Sequence, residues 1–332
     1  MKNLISLLLL AIFSATVVLI GGLLLTVKGK YQNDFIRLFP PHAADVDKAK
    51  EISSGYRLAG LTSKKIYLYE RTHILEMSRD LTEHCQIQLE IPFGFDVEID
   101  SPNFFIYNSD KGILKRGSLK TWRIDTVFNI KPFTAIQPIS ANSIVTREID
   151  ISERKNILQR SGFGYSETYV LEKQVDGILC TDGILRYSAN LRQLIYVYRY
   201  RNQFVCMDTC LNVIHDGKTI DTTTVAKIEV REIEGKITMA KPPLAVNNDA
   251  VIDGKYLFVQ SNLVAKNEIP EKIKDRLVVD VYNLEEGSYR HSFYVENYMG
   301  SGMHGFLVKG STLVAIFRDA VVTYDLPSSY RP

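Results

Sequence analysis

The chain has 332 residues, of which 40 are Lys or Arg and 38 are Asp or Glu, so its formal net charge is only +2. This balance excludes the strongly basic surface that nucleic-acid binding requires, and we expect no nucleic-acid partner. Hydrophobic residues make up 45% of the chain, enough for a sizeable core, and the 18 Tyr and 15 Phe favour β structure.

The first element in chain order is an uncharged stretch, Leu4–Val27, which follows a stub of residues 1–3. Its 24 residues are long enough, as a helix, to cross a hydrocarbon core of about 30 Å. Because the run is long and no small-residue cleavage site follows it, we predict a single uncleaved transmembrane signal anchor in contact with membrane lipid. Residues 28–44 then form a spacer that contains Pro40 and Pro41.

The charges beside this stretch do not favour export of the body. Lys2 lies before it, whereas Lys28, Lys30 and Arg37 follow it, and positive charge is usually retained in the cytoplasm. Long domains nevertheless translocate largely regardless of such charges. The charges alone therefore leave the orientation open.

The clearest repeat unit spans Tyr187–Asp221. Its apolar runs are too short for a convincing helix, and polar turns separate them: Leu194–Tyr198, Gln203–Met207 and Leu211–Ile214. Strand, turn, strand, turn, strand is an antiparallel meander, and one such sheet cannot bury both of its faces. We therefore expect similar sheets to stack on it.

Strands similar to Leu194–Tyr198 recur along the chain and begin at residues 66, 104, 144, 194, 256 and 313. Their spacing is near the ~40–50 residues of a four-stranded propeller blade, with loop insertions where it is longer. The segment before each recurrence is predicted to be an innermost strand: Tyr56–Leu61, Val97–Ser101, Phe133–Pro138, Gly177–Tyr187, Leu244–Ile252 and Gly305–Val308. We predict an all-β fold in which residues 45–332 form a six-bladed β-propeller preceded by the single transmembrane helix.

One strand-like segment, Lys48–Ser53, precedes the first unit and belongs to no blade. The last unit ends at Pro332 without room for a fourth strand. We therefore predict that the N-terminal strand pairs with the last blade and closes the ring, which protects an edge that otherwise invites aggregation.

The fourth unit also provides a candidate binding surface. Arg199, Arg201 and Asn202 cluster in a hairpin that follows Tyr196 and Tyr198. Exposed together, these side chains would make an aromatic and cationic surface suited to a polar partner or a glycan. The alternative is a solvated hairpin without a ligand.

Two further residues are candidates for the mouth of the central channel. Asp182 lies in an Asp-Gly pair at the start of the fourth unit, where either a turn or a position at the channel mouth fits. His304 lies at the start of a predicted innermost strand, where a ligand or metal role competes with a structural one.

No motif predicts catalytic, cofactor-binding or metal-binding residues. Gly300–Gly305 matches GxGxxG, but a strand-like run follows it in place of the helix that a dinucleotide site requires. Gly164–Thr168 lacks the final glycine of a nucleophile elbow. Cys206 and Cys210 flank a turn, where they either form a local disulfide or serve as small buried hydrophobic residues.

Several stretches carry a family resemblance: Phe35–Pro41 (FIRLFPP), Ala59–Tyr67 (AGLTSKKIY), Phe133–Ile139 (FTAIQPI), Val175–Gly183 (VDGILCTDG), Gln193–Gln203 (QLIYVYRYRNQ) and Ile220–Thr223 (IDTT). With them the chain resembles an uncharacterised family of membrane-anchored, six-bladed, TolB-like β-propellers from Bacteroidota. The resemblance implies a single-pass protein of the inner (cytoplasmic) membrane whose propeller faces the periplasm. It implies no reaction and no catalytic residues.

The expected function follows from the way a rigid ring presents its loops and channel. By analogy of fold, we expect a membrane-tethered extracytoplasmic β-propeller that acts as a non-enzymatic binding or scaffolding module for a protein or glycan partner. The alternative is a hydrolase or lyase with its site in the central channel. Carboxylates or histidines that converge in the channel would favour the enzyme, whereas an apolar channel would favour the scaffold.

Overall fold

The computed structural model describes residues 33–40, 44–162 and 166–327. The predicted transmembrane helix, Leu4–Val27, lies outside the described residues. Within these three ranges, no helix is both long enough and apolar enough to span a bilayer.

Six four-stranded antiparallel sheets and one two-stranded hairpin form the described structure. Five of the sheets consist of four consecutive strands, and the sixth combines the last three strands with the first strand of the chain. This topology confirms the prediction of an all-β, six-bladed β-propeller. Short polar turns between successive strands make each sheet a meander. Each meander has two apolar faces and therefore needs a neighbouring sheet on either side.

The strands are numbered in chain order. The first strand is β1 (Asp45–Glu51). Blade one contains β2 (Arg57–Leu61), β3 (Lys65–Tyr69), β4 (His73–Ser78) and β5 (His84–Gln88). Blade two contains β6 (Asp96–Asp100), β7 (Asn103–Asn108), β8 (Ile113–Ser118) and β9 (Arg123–Asn129). Blade three contains β10 (Ala135–Ser140), β11 (Ser143–Asp150), β12 (Lys155–Gly162) and β13 (Thr168–Val170).

The remaining blades continue this order. Blade four contains β14 (Gly183–Ser188), β15 (Gln193–Tyr198), β16 (Gln203–Asp208) and β17 (Val213–Lys218). A hairpin follows, made of β18 (Val230–Ile233) and β19 (Lys236–Met239). Blade five contains β20 (Asn247–Asp253), β21 (Tyr256–Ser261), β22 (Arg276–Asn283) and β23 (Ser288–Glu296), and blade six contains β24 (Gly305–Lys309), β25 (Thr312–Ile316) and β26 (Ala320–Asp325).

Two insertions account for the long repeat spacing after blade four. The β18–β19 hairpin lies between blades four and five, and the loop between β21 and β22 carries a short 3-10 helix, Pro270–Lys272. Both lie in connections, so they lengthen the repeat without changing the pattern of strands within a blade.

The ring is closed by β1, which pairs antiparallel with β26 from Asp45 opposite Asp325 to Glu51 opposite Ala320. The closing strand therefore begins three residues before the predicted segment Lys48–Ser53. Its side chains are mostly exposed, as expected for the outermost strand of a blade. The first and last parts of the propeller are thus joined by backbone hydrogen bonds.

The hydrophobic core lies between neighbouring blades. Along β16, Val205 and Met207 pack in the cluster shared with blade three, whereas Phe204 and Cys206 pack in the cluster shared with blade five. This alternation follows from the two-residue period of a strand. Every central strand must therefore be apolar on both faces, which is why the apolar runs of the sequence are continuous.

Arg37 ties the segment before β1 to blade five. Its guanidinium is fully buried and donates to both carboxylate oxygens of Asp280, at 2.8 and 3.0 Å, and to Glu268 at 2.5 Å. The remaining donors reach Ser261 Oγ and the carbonyl of Leu263, each at 2.8 Å. All five guanidinium N–H groups are therefore satisfied. Burial alone lowers the pKa of Arg37, but the two carboxylates outweigh burial and raise that pKa above its ordinary value.

Arg201 is buried as completely as Arg37, but it has fewer partners. Its guanidinium lies 3.6 Å from the centroid of the Tyr198 ring, and Nη2 donates to the carbonyl of Glu172 at 3.0 Å. Its Nε and Nη1 have no hydrogen-bond partner among the described residues. The carboxylate of Glu172 is 3.6 Å away and mostly exposed.

This contrast between two buried arginines predicts opposite outcomes of the same substitution. Arg37→Met leaves two buried carboxylates without their cation, so we expect the free energy of unfolding to fall by about 3–5 kcal/mol. Arg201→Met replaces an incompletely paired guanidinium with an apolar chain of similar length, and we expect a change within about 1 kcal/mol. Urea unfolding of the two variants measures both values. Equal destabilisation by the two substitutions would contradict this assignment.

Candidate functional site

The central channel is lined by the first strand of each blade: β2, β6, β10, β14, β20 and β24. These strands lie side by side around the ring, β2 next to β6, β10 next to β14, and β20 next to both β14 and β24. Each strand begins at one face of the propeller, which we call the upper face. In β6, Val97 and Ile99 are buried between the blades, so Asp96, Glu98 and Asp100 face the channel.

An upper cavity of about 560 Å³ occupies the channel where the innermost strands begin. Its polar lining comes from blades one, two, four, five and six: Arg57, Asp96, Arg186, Asp249 and His304. Ion pairs join neighbouring blades, from Arg57 to Asp96 at 2.5 Å and from Arg186 to Asp249 at 3.0 Å. The cavity is therefore polar, and its charges are paired.

The hydroxyl of Tyr69, whose residue lies opposite Arg57 on the neighbouring strand, supports this arrangement. It donates a hydrogen bond to Asp96 Oδ1 at 2.9 Å, and the guanidinium of Arg57 lies over its ring at 5.3 Å from the centroid. Burial, followed by the negative charge of Asp96, raises the pKa of Tyr69 above its ordinary value. The phenol therefore stays protonated and acts as a fixed donor.

A lower cavity of about 340 Å³ lies further along the channel and includes Glu98, Asp100, Gln137 and Arg186. Gln137 Nε2 donates to Glu98 Oε1 at 3.0 Å, which links blades two and three. Burial raises the pKa of Glu98 to about 7, although Arg186 and Gln137 act in the opposite direction. Protein surrounds this carboxyl, and the residue as a whole is only partly exposed. Burial also raises the pKa of Asp100.

The raised pKa of Glu98 predicts a pH-dependent stability. The folded chain holds this proton more tightly than the unfolded chain, whose Glu titrates near 4.5. Its stabilisation is therefore complete below that pH and is lost as the pH rises towards about 7. Glu98→Gln mimics the protonated acid. We therefore expect the variant to have a higher melting temperature than the wild type at about pH 8 and the same melting temperature at about pH 4.5.

The control is Glu285→Gln, which changes an exposed glutamate in the turn between β22 and β23. Thermal melts of the three proteins across this pH range measure the difference. A Glu98→Gln variant that is less stable than the wild type at the higher pH would show that Glu98 is ionised there without penalty.

His304 lies where the sequence placed it, at the start of β24, and its side chain is exposed at the upper cavity. Its backbone N–H donates to the carbonyl of Ile316, which continues the ladder of blade six. Among the described residues, no group of three or more His, Cys, Asp or Glu side chains is arranged to hold a metal ion.

The aromatic surface expected from Tyr196 and Tyr198 is not formed, because both side chains are fully buried. They lie on the face of β15 that packs against blade three. The hydroxyl of Tyr196 donates to the carbonyl of Thr181 at 2.6 Å and accepts from Arg147 at 2.8 Å. That of Tyr198 accepts the N–H of Glu172 at 3.2 Å. Both tyrosines are core residues with satisfied hydroxyls.

The cationic part of the same surface is also largely buried. Arg201 is enclosed, as described above, and Asn202 donates to the carbonyl of Asp221 at 2.6 Å. Only Arg199 and Asp182 remain half-exposed, joined by an ion pair at 2.8 Å. Asp182 also pairs with Arg147 at 2.7 Å, so it links blades three and four beside the start of β14. Neither Arg199 nor Asp182 lines the upper or the lower cavity.

The local disulfide considered for Cys206 and Cys210 is not formed, and both thiols are free. Cys206 is buried in the cluster shared with blade five. Cys210 is exposed beyond the end of β16, where Arg160 of blade three lies 3.4 Å from its sulfur. The two side chains therefore lie on opposite sides of blade four. Of the two roles considered, Cys206 fills that of a small buried hydrophobic residue.

Sequence reasoning missed the charged residues of the channel. Asp96, Glu98 and Asp100 alternate with apolar residues, and a strand that is expected to be innermost should be polar only where it faces the channel. The predicted strand Val97–Ser101 contained two of these residues, Glu98 and Asp100, and Asp96 directly precedes it. The partners Arg57 and Arg186 had no such signal, because they come from other blades.

No protein-family profile and no curated protein matches the chain. Among solved structures, it is similar to a member of the DUF4221 family from Bacteroides vulgatus, at 11% identity and a TM-score of 0.51, over 89% of this chain and 99% of that chain. It is also similar to a streptogramin B lyase at 8% identity, with a TM-score of 0.46 over 84% and 98% of the two chains. A chain of a mitotic checkpoint complex is similar at 9% identity, with a TM-score of 0.48 over 88% of this chain and 99% of that chain. The first of these similarities shows the β-propeller fold alone.

Proposed function

We propose that the chain is a membrane-tethered, extracytoplasmic binding module that holds a protein or glycan partner at the upper face of its propeller. In this proposal it belongs to the membrane-anchored TolB-like propellers that its sequence resembles. The uncharged stretch Leu4–Val27 is the anchor, and the propeller faces the periplasm from the inner membrane. The length of that stretch and the resemblance support the location.

The upper cavity is the observation that carries the binding function. Its volume of about 560 Å³ is within the range of ordinary ligand sites. Its donors and acceptors come from five blades, and ion pairs between blades fix their positions. A ligand bound there would meet groups that are already oriented, which reduces the entropy lost on binding.

The carboxylates of the channel are the feature that we expected to favour an enzyme. Two of them, Asp96 and Asp249, are held in ion pairs with arginines, which suits fixed hydrogen-bond acceptors better than groups that exchange protons. The pairing therefore favours recognition over turnover.

Glu98 supports the second candidate, a hydrolase or lyase with its site in the channel. A carboxyl whose pKa is about 7 is suited to act as a general acid near neutral pH. An enzyme would release a product that the wild type forms and Glu98→Gln does not, whereas a binding module would return its ligand unchanged.

The proposal is tested by purifying the full-length chain from its own membranes in mild detergent. Arg186→Gln removes the ion pair to Asp249, whereas Arg290→Gln changes an exposed arginine on the outermost strand of blade five. We expect mass spectrometry to find a stoichiometric protein or glycan with the wild type and with Arg290→Gln. We expect about thirtyfold less of it, or lower still, with Arg186→Gln, because removing a hydrogen-bonded charge from an interface typically costs ~2 kcal/mol or more.

Two outcomes would contradict the proposal: a wild-type chain that elutes without a partner, or a partner that all three proteins retain equally. The same cells test the location. A membrane-impermeant maleimide added to spheroplasts should label the exposed Cys85 and Cys210, and the Cys85→Ser/Cys210→Ser variant is its control. Labelling that requires lysis of the inner membrane would place the propeller in the cytoplasm.

A further inference from the structure

A third cavity lies on the upper face, in the loops between blades one and two. Its volume is about 520 Å³, and its walls include Arg71, Thr72, Pro92, Phe93 and Phe95. Arg71 lies in the turn between β3 and β4, and Phe93 lies in the connection from β5 to β6. We call it the rim cavity, because it lies beside the channel mouth.

The rim cavity adjoins the upper cavity. Both are lined by Arg57 and Tyr69, so the side chain of Arg57, lying over the Tyr69 ring, is their shared wall. Arg57 is itself mostly exposed and is fixed by its ion pair with Asp96. The two cavities therefore lie side by side on the upper face with Arg57 between them, and we call the pair the cleft.

Phe93 stands at the outer end of this cleft. It is 80% exposed, although it is a large aromatic residue. The guanidinium of Arg71 lies 4.7 Å from the ring centroid and covers one of its faces. Arg71 thus holds the ring in place and leaves the other face open for stacking.

The charges of the cleft narrow the chemistry of its ligand. Arg57 is paired with Asp96, Arg186 is paired with Asp249, and the rim cavity adds Glu70 and Arg71, so the charges that line the cleft balance. Guanidinium groups offer N–H donors, and carboxylates keep lone pairs beyond those used in an ion pair. Such a lining suits a ligand whose groups both donate and accept but carry no charge.

We propose that this cleft binds a neutral oligosaccharide, with one sugar at the channel mouth between Arg57 and Asp249 and another stacked on Phe93. Sugar hydroxyls donate and accept hydrogen bonds, and the apolar face of a sugar ring fits the open face of an aromatic ring. Only a ligand of several sugars can occupy both cavities at once, because each cavity is separately large enough for a small ligand. This inference rests on the binding function proposed above.

The test is titration calorimetry of the full-length chain in detergent with cellohexaose, maltohexaose, xylohexaose and mannohexaose. Hexagalacturonate is the charged comparison, and the matching disaccharides test length. We expect at least one neutral hexasaccharide to bind, and its disaccharide to bind about tenfold or more weakly, because it fills only one cavity. Phe93→Ala should lower the affinity about tenfold, in line with the loss of one stacked ring.

Two variants control for folding and for general surface effects. Phe93→Tyr keeps the ring and should retain the affinity of the wild type. Ile151→Ala removes a side chain that is 85% exposed on blade three, away from the cleft, and should change nothing. Tighter binding of hexagalacturonate, equal affinity of Phe93→Ala and the wild type, or no binding of any neutral hexasaccharide would each overturn the inference.

These failures can be distinguished from failure of the binding function itself. If no sugar binds but a protein copurifies and is lost with Arg186→Gln, the binding function stands and the oligosaccharide is wrong. If a sugar binds and only Arg186→Gln weakens it, the ligand lies in the upper cavity and does not extend to Phe93.

Discussion

Closure of the ring by β1 is the constraint on which the rest of this structure depends. The pairing of β1 with β26 joins residues near the start of the propeller to residues near its end. Without it, blade six would have three strands and an open edge, and blades one and six would lose their common support. The buried Arg37 reinforces the same region, because it fixes the segment that leads into β1 against blade five.

The polar groups of the channel depend on that closure because they act between blades. Arg57 and Asp96 join blades one and two, Glu98 and Gln137 join blades two and three, and Arg186 and Asp249 join blades four and five. Each contact requires the correct angle between neighbouring sheets. The site therefore exists only in the assembled ring. A loss of closure would disturb the contacts that line the cavities and would also lower the stability of the propeller.

The sequence was sufficient for the fold because the signals of a propeller are local. Alternating apolar runs and polar turns define each meander, and their repetition defines the number of blades. The binding surface could not be predicted in the same way. Tyr196 and Tyr198 follow the pattern of a hairpin that could be solvated, and only the packing of blade three against β15 shows that they are core residues.

For the channel, the sequence indicated the carboxylates of β6 but not the residues that pair across the blades. The alternation of Asp96, Glu98 and Asp100 with apolar residues indicates a strand that faces a polar interior. Their partners are distant in the sequence, since Gln137 lies 39 residues after Glu98, and Asp249 lies 63 residues after Arg186. No local pattern connects such residues, so their pairing depends on the three-dimensional arrangement of the blades.

The central claim is that the upper face, around the channel mouth and Phe93, is where the propeller holds its partner. Photo-crosslinking in living cells tests this most directly, with p-benzoyl-phenylalanine placed at Phe93 and, as the control, at Val127 on the outermost strand of blade two. Both positions are exposed to solvent, so the comparison tests their location on the propeller. Binding at the upper face predicts a light-dependent adduct from position 93 and none from position 127. No adduct from position 93, or equal adducts from both, would contradict it.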